Sequence, residues 1–451
     1  MKNARARRRG AAIVAHGVPA LLLCLALSGC GAPAARPGDP SLSASNLALI
    51  DDAMQEVQKS YVVPVSQDKL VDGALKGMLS RLDPHSDYMS EREYQELVAT
   101  TSGQFGGVGI EISVEQGVPQ VISAIDGTPA AAAGIEPGDR IIKANGQPIV
   151  GLEIGEVVRR LRGAPGTRVL LTIARANKGE LEIPITRAII HVQSVKSALE
   201  AGGVGYARVS TFDDNTAAEL RTAIGRMRQQ AGGRLHGFVL DLRNDAGGLL
   251  DAAVDVAGEF LDGGTVVSTR GREADENRVY AAPPNGDLIG GAPMVVLING
   301  ASASASEIVA GAMQDHGRAT IMGTRSFGKG SVQSIIPIEG RGALRLTTAL
   351  YYTPSGRSIQ GDGITPDRVV TLPKNEQVAN AVITYESDLF GTLRPTGALA
   401  PSGAPAPKPA TSENEVAADH PINPKIIGTT HDAQLSAALQ FLAGGRRAAA
   451  R

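Results

Sequence analysis

Two apolar runs decide the fold class of this 451-residue chain: residues 237–243, GFVLDLR, and residues 293–298, PMVVLI. Each run is almost continuously apolar, which is typical of a strand that is buried on both faces. Helical periodicity follows each run, over residues 249–261 after the first and residues 307–314 after the second. This alternation of strands and helices predicts an α/β fold from about residue 189 to residue 372.

The preceding segment, residues 103–187, has short alternating strands with glycine between them. Five strand-like stretches and a helical stretch at residues 154–161 predict a small, partly open β-barrel. Its first strand begins in a glycine-rich loop, where successive backbone N–H groups can bind a chain-terminal carboxylate. Alternatively, these glycines only form turns. The peptide-binding candidates are Gly106, Gly107, Val108, Gly109 and Ile110.

The remaining segments are interpreted from composition and periodicity. Residues 47–102 carry apolar residues at helical spacing, so we expect two or three helices there. Residues 30–46 have the composition of a flexible tether. Residues 376–430 form a linker whose Pro/Ala/Ser-rich part should be disordered. A short amphipathic helix is expected within residues 431–445, and it should pack back on the core.

Residues 1–29 have the composition of an export signal, because four arginines precede an apolar run that is too short for a confident membrane span. The run ends in Leu27-Ser28-Gly29-Cys30, which resembles the bacterial lipobox. The resemblance implies a lipid-anchored protein on the periplasmic side of the envelope, with Cys30 as the anchor; a plain signal peptide is the alternative. Cys24 is the other cysteine, so the mature chain has neither a disulfide nor a thiol nucleophile.

The net charge gives no support to one class of partner. The whole chain has a formal charge of −2, and the part after residue 29 has 39 basic and 46 acidic residues, or −7. A mildly acidic body gives no electrostatic reason to expect a nucleic-acid partner.

Residues 299–308, NGASASASEI, are the first candidate for catalysis, because small residues follow a buried strand and open a helix. The N–H groups at a helix N-terminus can stabilise an oxyanion. The alternative is that these serines only cap the helix. Histidine chemistry has little support: no HExxH or GxSxG motif occurs, and we interpret the isolated histidines as structural, namely His85, His191, His236 and His316.

Residues 323–333, GTRSFGKGSVQ, place one lysine among glycines just before an apolar run. A lysine amine acts as a general base only if its pKa falls from about 10.4 toward 7–8. Burial against apolar neighbours lowers the pKa of an amine in this way. Lys329 is therefore a candidate base.

These two segments, with residues 241–248 (DLRNDAGG) and 351–356 (YYTPSG), resemble the carboxyl-terminal processing peptidases, or tail-specific proteases. Residues 106–110, with AAGIEPGD and IIKANG further along, resemble a PDZ domain. The resemblance extends from about Leu47 to Asp367. It implies a ClpP/crotonase-like α/β core at residues 188–375, with an inserted PDZ domain and an N-terminal helical region.

The resemblance also implies residue roles. The central serine of the SASAS run is the family's nucleophile and the lysine 25 residues later is its base, which selects Ser304 and Lys329. Gln333 matches a family glutamine four residues after the lysine. The oxyanion donors should be the backbone N–H groups of Ala305 and Gly248.

Two features weaken the match. Asp245-Ala246 occupies the place where the family has Asn or Pro before Gly-Gly. Four residues of straight strand span about 13 Å, so Gln333 can reach the lysine amine only if Gly328 and Gly330 bend the chain.

The implied function is a serine endopeptidase that binds substrate C-termini through its PDZ domain and processes or degrades envelope proteins, with neither metal nor cofactor. Its partners would be protein or peptide substrates with accessible C-termini, the membrane through the lipid anchor, an adaptor lipoprotein, and a second copy through the N-terminal helices. Arg162 could couple peptide binding to catalysis, or it could be only a helix-end cation.

Two rival functions are considered. A non-catalytic PDZ scaffold of the envelope would not need Ser304 and Lys329, which are both present. A P-loop would match residues 323–329, but Gly330 occupies the position of the Mg²⁺-binding Ser or Thr.

Overall fold

The computed structural model describes residues 42–394 and 421–449, apart from 116, 126, 177, 285, 379, 380 and 382. The predicted signal, Cys30 and most of the predicted disordered linker lie outside the described residues. The chain divides into two compact units, Met1–Gln67 and Asp68–Arg451. In the first unit, helix α1 (Ala44–Ser60) begins where Ser43 Oγ accepts the N–H of Asn46 at 3.2 Å. None of its residues is buried.

The second unit opens with helix α2 (Gln67–Leu79), strand β1 (Asp87–Met89) and helix α3 (Glu91–Thr101). The turn before β1 is closed by Asp83, whose carboxylate accepts the N–H groups of His85 and Ser86 at 2.8 and 2.9 Å. Two or three helices were expected over residues 47–102, and the described part of the chain has three helices up to Thr101.

One six-stranded sheet forms the inserted β-domain. Its order is β3-β4-β5-β7-β8, and β6 pairs with β5. A buried aliphatic core fills it, including Ile141, Val157 and Leu171. The elements are β3 (Ile110–Glu115), β4 (Val118–Ala124), α4 (Pro129–Ala132), β5 (Arg140–Ala144), β6 (Gln147–Pro148), α5 (Ile154–Leu161), β7 (Arg168–Arg175) and β8 (Gly179–Thr186). A separate antiparallel ribbon of β2 (Gln104–Gly107) and β9 (Ala188–His191) joins the domain to the rest of the unit.

The rest of the second unit, the α/β half, is built on a six-stranded sheet of order β10-β11-β12-β15-β16-β19, parallel except for the β10 edge. Helices α6, α7 and α8 pack on one face, and α9 packs on the other with Leu435, Ala438 and Leu442. The elements are β10 (Val195–Glu200), β11 (Val204–Val209), α6 (Thr216–Gln230), β12 (Gly237–Asp241), α7 (Leu250–Gly258), β15 (Met294–Ile298), α8 (Ala305–Asp315), β16 (Thr320–Gly323), β19 (Arg368–Val369) and α9 (Ala433–Ala449).

A second, antiparallel sheet lies against this layer, with order β1-β18-β13-β14 and β17 also paired to β18. Its remaining strands are β13 (Thr265–Gly271), β14 (Arg278–Ala281), β17 (Ser331–Ile338) and β18 (Gly342–Tyr352). Strand β17 begins two residues after Lys329, so this sheet fixes the base candidate, whereas the parallel sheet fixes Ser304.

The two runs that predicted the α/β fold are strands β12 and β15, which are adjacent, parallel and fully buried. Chain segments at the carboxyl ends of neighbouring parallel strands meet at one edge of the sheet, where α/β proteins place their sites. The loops after β12 and β15 hold Gly248 and Ser304, respectively. Among the described residues, no helix is long and apolar enough to cross a membrane.

A buried ion network closes the same edge. The Arg243 guanidinium is 0% exposed and donates to Asp241 from the end of β12 and to Asp432 from the C-terminal segment, with Nη1 of Arg243 2.9 Å from Asp432 Oδ1. Tyr206 OH donates to Asp241 at 2.9 Å. A buried arginine is tolerated only when its charge is paired and its N–H groups have acceptors. Because Asp432 supplies part of this pairing, the C-terminal segment belongs to the α/β half.

Candidate active site

Ser304 is the residue that caps helix α8. It is buried, with 7% of its surface exposed, and its backbone has φ 56° and ψ −112°. A non-glycine residue rarely takes a positive φ, and such strain persists only where the surroundings hold it. Its Oγ lies 2.9 Å from the hydroxyl of Tyr351. The SASAS run therefore does cap a helix, and its central serine also carries backbone strain that a cap does not require.

Glu307, one turn into α8, holds both candidate catalytic segments. One carboxylate oxygen accepts the N–H of Ser304 at 2.8 Å and that of Lys329 at 2.9 Å. The other oxygen accepts the Ser326 hydroxyl at 2.5 Å and the Gly328 N–H at 2.7 Å. Complete burial raises the pKa of Glu307 to about 7, although these four hydrogen bonds favour the charged form.

Lys329 lies on the loop between β16 and β17, partly buried. Burial lowers the pKa of its amine from the usual value, while the negative charges of Glu386, Glu307 and Asp83 act in the opposite direction. No hydrogen bond joins Lys329 Nζ to Ser304 Oγ in the described part of the chain, where Oγ bonds to Tyr351 instead. The two predicted residues are thus brought to one site, but not into the contact that proton transfer needs.

A polar cluster from distant segments holds the backbone around Lys329. The Gln360 side chain accepts the N–H of Gly330 at 2.8 Å and donates to Glu386 at 2.8 Å. The N–H of Glu386 donates to the carbonyl of Phe327 at 3.1 Å, and His85 Nε2 lies 2.8 Å from Glu386 Oε2. Burial alone would raise the pKa of Glu386, but these partners lower it below the usual value. His85, interpreted as structural, is therefore connected to the lysine loop.

The Gln333 side chain makes its hydrogen bonds to residues other than Lys329. Its Nε2 donates to Ser331 Oγ at 3.0 Å and to Thr347 Oγ1 at 3.2 Å. The β17–β18 register shifts between Val332 and Gln333, so the strand is irregular there. Among the described residues no hydrogen bond joins Gln333 to Lys329, and its catalytic role stays a prediction.

The predicted oxyanion donors are the backbone N–H groups of Ala305, which follows Ser304, and of Gly248. Those of Ala305 and Gly248 donate to no other group in the part of the chain that the structure describes. A Cβ at Gly247 would lie 2.9 Å from both Ala305 N and Ser304 Cβ, and one at Gly248 would lie 2.0 Å from the Phe212 carbonyl oxygen. Both positions therefore need glycine, and it is Gly247 that packs directly on Ser304.

Asp245 keeps this glycine turn in place despite its departure from the family pattern. Its Oδ1 accepts the N–H of Gly247 at 2.8 Å, and its carbonyl accepts the N–H of Ala303 at 2.9 Å and the Ser306 hydroxyl at 3.1 Å. Burial raises the pKa of Asp245 to about 7. The turn is thus tied to the nucleophile segment by backbone contacts that do not need Asn or Pro.

The inserted domain has a cavity of about 240 Å³ between β3 and α5. The predicted residues Gly107, Val108, Gly109 and Ile110 line it, with aliphatic side chains of α5 opposite. Gly106 does not line it: a Cβ there would lie 2.2 Å from the Gly163 carbonyl oxygen, so this glycine allows two chain segments to meet.

Arg162 lines the same cavity at its far end. Its guanidinium lies over the Phe105 ring, 4.3 Å from the centroid, and its buried Nε has no hydrogen-bond partner. It follows α5 directly, as expected of a helix-end cation, and its coupling to catalysis stays a prediction.

Sequence reasoning missed Glu307, Tyr351 and Glu386. Only Glu307 left a usable signal, since a Glu three residues after a capping Ser is a capping-box pattern. Tyr351 lies 47 residues after Ser304, and Glu386 lies 57 residues after Lys329. Both reach the site only through tertiary packing.

Comparisons with known proteins agree with this architecture. Residues 203–370 match the model of peptidase family S41, residues 120–175 that of a PDZ domain, and residues 34–93 that of the N-terminal domain of the activating protease CtpB. A carboxy-terminal-processing protease of Bartonella bacilliformis is 49% identical over 351 residues, 77% of this chain and 80% of the relative. The carboxy-terminal processing protease CtpA of Bacillus subtilis is 33% identical, over 77% of this chain and 74% of the relative.

A solved structure, the photosystem II D1 C-terminal processing protease, covers 73% of this chain and 94% of its own at 28% identity, with a TM-score of 0.43. The sequence matches define a serine-type peptidase that carries a PDZ domain. The chain belongs to peptidase family S41, among the carboxy-terminal processing proteases. The predicted resemblance and the predicted α/β fold with a PDZ domain are both confirmed.

The contacts of Glu307 predict that Glu307→Gln lowers peptide hydrolysis by about 100-fold. Both carboxylate oxygens of Glu307 accept hydrogen bonds, whereas only one of the two terminal atoms of a glutamine amide can accept. Hydrogen bonds to a charged group contribute about 1.5–3 kcal/mol each. Turnover of a fluorogenic peptide, measured with the thermal unfolding midpoint, checks this.

The matched control is Glu219→Gln on helix α6. Like Glu307, the Glu219 carboxylate accepts backbone N–H groups, those of Ser194 and Val195 at 2.9 and 3.0 Å. It should hydrolyse the peptide at the wild-type rate. Near-wild-type activity of Glu307→Gln would show that its carboxylate does not position the site.

Proposed function

We propose that this chain is a serine endopeptidase in which Ser304 is the nucleophile and Lys329 the general base. The observation that carries the proposal is the single carboxylate of Glu307, which accepts the backbone N–H of both residues. It brings together two segments that lie 25 residues apart on different sheets. Burial, which lowers the pKa of the Lys329 amine, favours the neutral form that a base requires.

In the proposed reaction, Lys329 Nζ takes the proton of Ser304 as Oγ attacks the scissile carbonyl carbon. The N–H groups of Ala305 and Gly248 stabilise the resulting oxyanion. The Lys329 ammonium gives its proton to the leaving amine as the C–N bond breaks. Water then attacks the acyl-enzyme and passes a proton to Lys329, which returns that proton to Ser304 Oγ as the ester C–O bond breaks and the acid product leaves. Gln333 would orient the amine, which requires its side chain to leave Ser331 and Thr347.

For the dyad, we expect a fluorophosphonate probe to label the wild type but neither Ser304→Ala nor Lys329→Ala. Lys329→Arg should be as inactive as Lys329→Ala, because a guanidinium does not deprotonate. Wild-type labelling should rise with pH through the lowered pKa of Lys329, since only the neutral amine accepts the proton.

Mass spectrometry of the labelled serine and labelling rates across a pH series check this prediction. A non-catalytic PDZ scaffold predicts equal labelling of all four proteins, and substantial activity of Lys329→Arg would contradict the base assignment.

We further propose that the cavity between β3 and α5 binds the C-terminus of the substrate. In support, the glycine-rich segment that contains Gly109 (φ 81°) lines the cavity, and the other lining residues are apolar except for Arg162. A free carboxylate suits such a loop, and an extended peptide can add to the edge of β3.

A peptide substrate with a free C-terminus should therefore have a kcat/KM about 10- to 100-fold above that of its C-terminal amide, the loss expected when a charge-assisted hydrogen bond is removed. Val158→Asp, which adds an acidic group to the cavity lining, should hydrolyse both peptides equally. Equal kcat/KM values for the wild type would contradict C-terminal capture.

We also propose that the protein is held by a lipid on Cys30 at the periplasmic side of the bacterial envelope, where it would act on envelope proteins. The support is the sequence Leu27-Ser28-Gly29-Cys30 after an apolar run. Metabolic labelling with an alkyne fatty acid should mark the wild type and Cys24→Ser, but not Cys30→Ser. Labelling of Cys30→Ser, or none in the wild type, would contradict the anchor.

A further inference from the structure

Ser304, the proposed nucleophile, forms a hydrogen bond with the hydroxyl of Tyr351, which has no role in the proposed reaction. Ser304 Oγ lies 2.9 Å from Tyr351 OH, and both side chains are buried. Ser304 Oγ has one proton and two lone pairs. If the serine donates to the phenol, its proton is held by Tyr351 and is not available to the amine; if the phenol donates, the hydrogen bond makes Oγ a weaker nucleophile.

The tyrosine cannot take the place of the base. Burial raises the pKa of Tyr351 to about 12, so its hydroxyl remains protonated at neutral pH. Its ring belongs to the buried core cluster that also contains Ile308 and Met313 of α8. A ring packed in this way does not leave its position at low cost, so the hydroxyl is fixed and the serine side chain is the part that can turn.

Tyr351 is also tied to the base segment through its backbone. Its N–H donates to the carbonyl of Gly330 at 2.7 Å, one residue after Lys329. Strand β18 further pairs Tyr351 with Thr269 of β13. The hydroxyl is thus fixed relative to both Ser304 and the lysine loop.

We propose that Tyr351 is a positioning residue that holds Ser304 Oγ in a resting orientation, away from Lys329. Ser304 becomes competent when rotation about its Cα–Cβ bond breaks the bond to Tyr351 and turns Oγ toward the amine. That rotation leaves a buried hydroxyl without a partner, which is the origin of the barrier. This inference rests on the proposed dyad of Ser304 and Lys329, and it adds Tyr351 as a restraint on Ser304.

The test compares full-length wild type with Tyr351→Phe, which keeps the ring and removes only the hydroxyl. The fluorophosphonate labelling rate of Ser304 should rise about 3- to 10-fold, which corresponds to about 0.7–1.4 kcal/mol, the net contribution of one hydrogen bond. The midpoint of the labelling rate against pH should not move, because that midpoint reports Lys329.

The matched control is Tyr352→Phe, the same change at the next residue of β18, where the ring stacks on Arg270 at 4.0 Å. It should be labelled at the wild-type rate. The double variant Tyr351→Phe/Lys329→Ala should lose the gain, since the released serine still needs the amine.

A rate that falls or stays unchanged in Tyr351→Phe would overturn the restraint; a loss of tenfold or more would instead make the hydroxyl a required catalytic donor. A gain that survives without Lys329 would also overturn it. If neither wild type nor Tyr351→Phe is labelled above Ser304→Ala, the dyad itself fails and the inference fails with it.

Discussion

The four hydrogen bonds to the buried carboxylate of Glu307 are the contact on which the rest of the site depends. A carboxylate taken out of water is costly unless donors surround it, and here three backbone N–H groups and one hydroxyl do so. Two of these N–H groups belong to Ser304 and Lys329. The positive φ of Ser304 and the bend of the lysine loop are thus stabilised by one side chain, and neither segment can shift without leaving that charge unsatisfied.

The same site is held from both ends of the chain. The turn around His85 lies in the N-terminal part of the second unit, and Glu386 lies after the catalytic sheet, yet the two side chains pair next to the lysine loop. On the oxyanion side, Asp432 pairs with Arg243 at the start of the glycine turn. Backbone donors aimed at an oxyanion work only if they are rigid, and these pairs supply rigidity that the β12 and β15 loops do not have alone.

The side chains of Ser304 and Gln333 do not make the contacts that the proposed reaction needs, whereas the backbone around them already has the geometry that it requires. Within the described residues the N–H groups of Ala305 and Gly248 donate to no acceptor, and burial already lowers the pKa of Lys329. What separates this arrangement from the proposed reaction is the orientation of Ser304 Oγ and the placement of Gln333, both of which are side-chain rotations. Such rotations need no rearrangement of the packed core, and their cost is that of the hydrogen bonds that they break.

The sequence by itself determined the α/β core, the inserted β-domain and the two candidate segments, because continuous apolar runs, glycine loops and helix starts are local patterns. Ser304 was separable from its two neighbouring serines only through family resemblance. The tertiary structure decided which side chains meet: Glu307 with the lysine loop, Tyr351 with Ser304, and Gln333 with Thr347 rather than the amine. Such contacts join residues far apart in the chain, and they depend on strand register and packing, which no local pattern records.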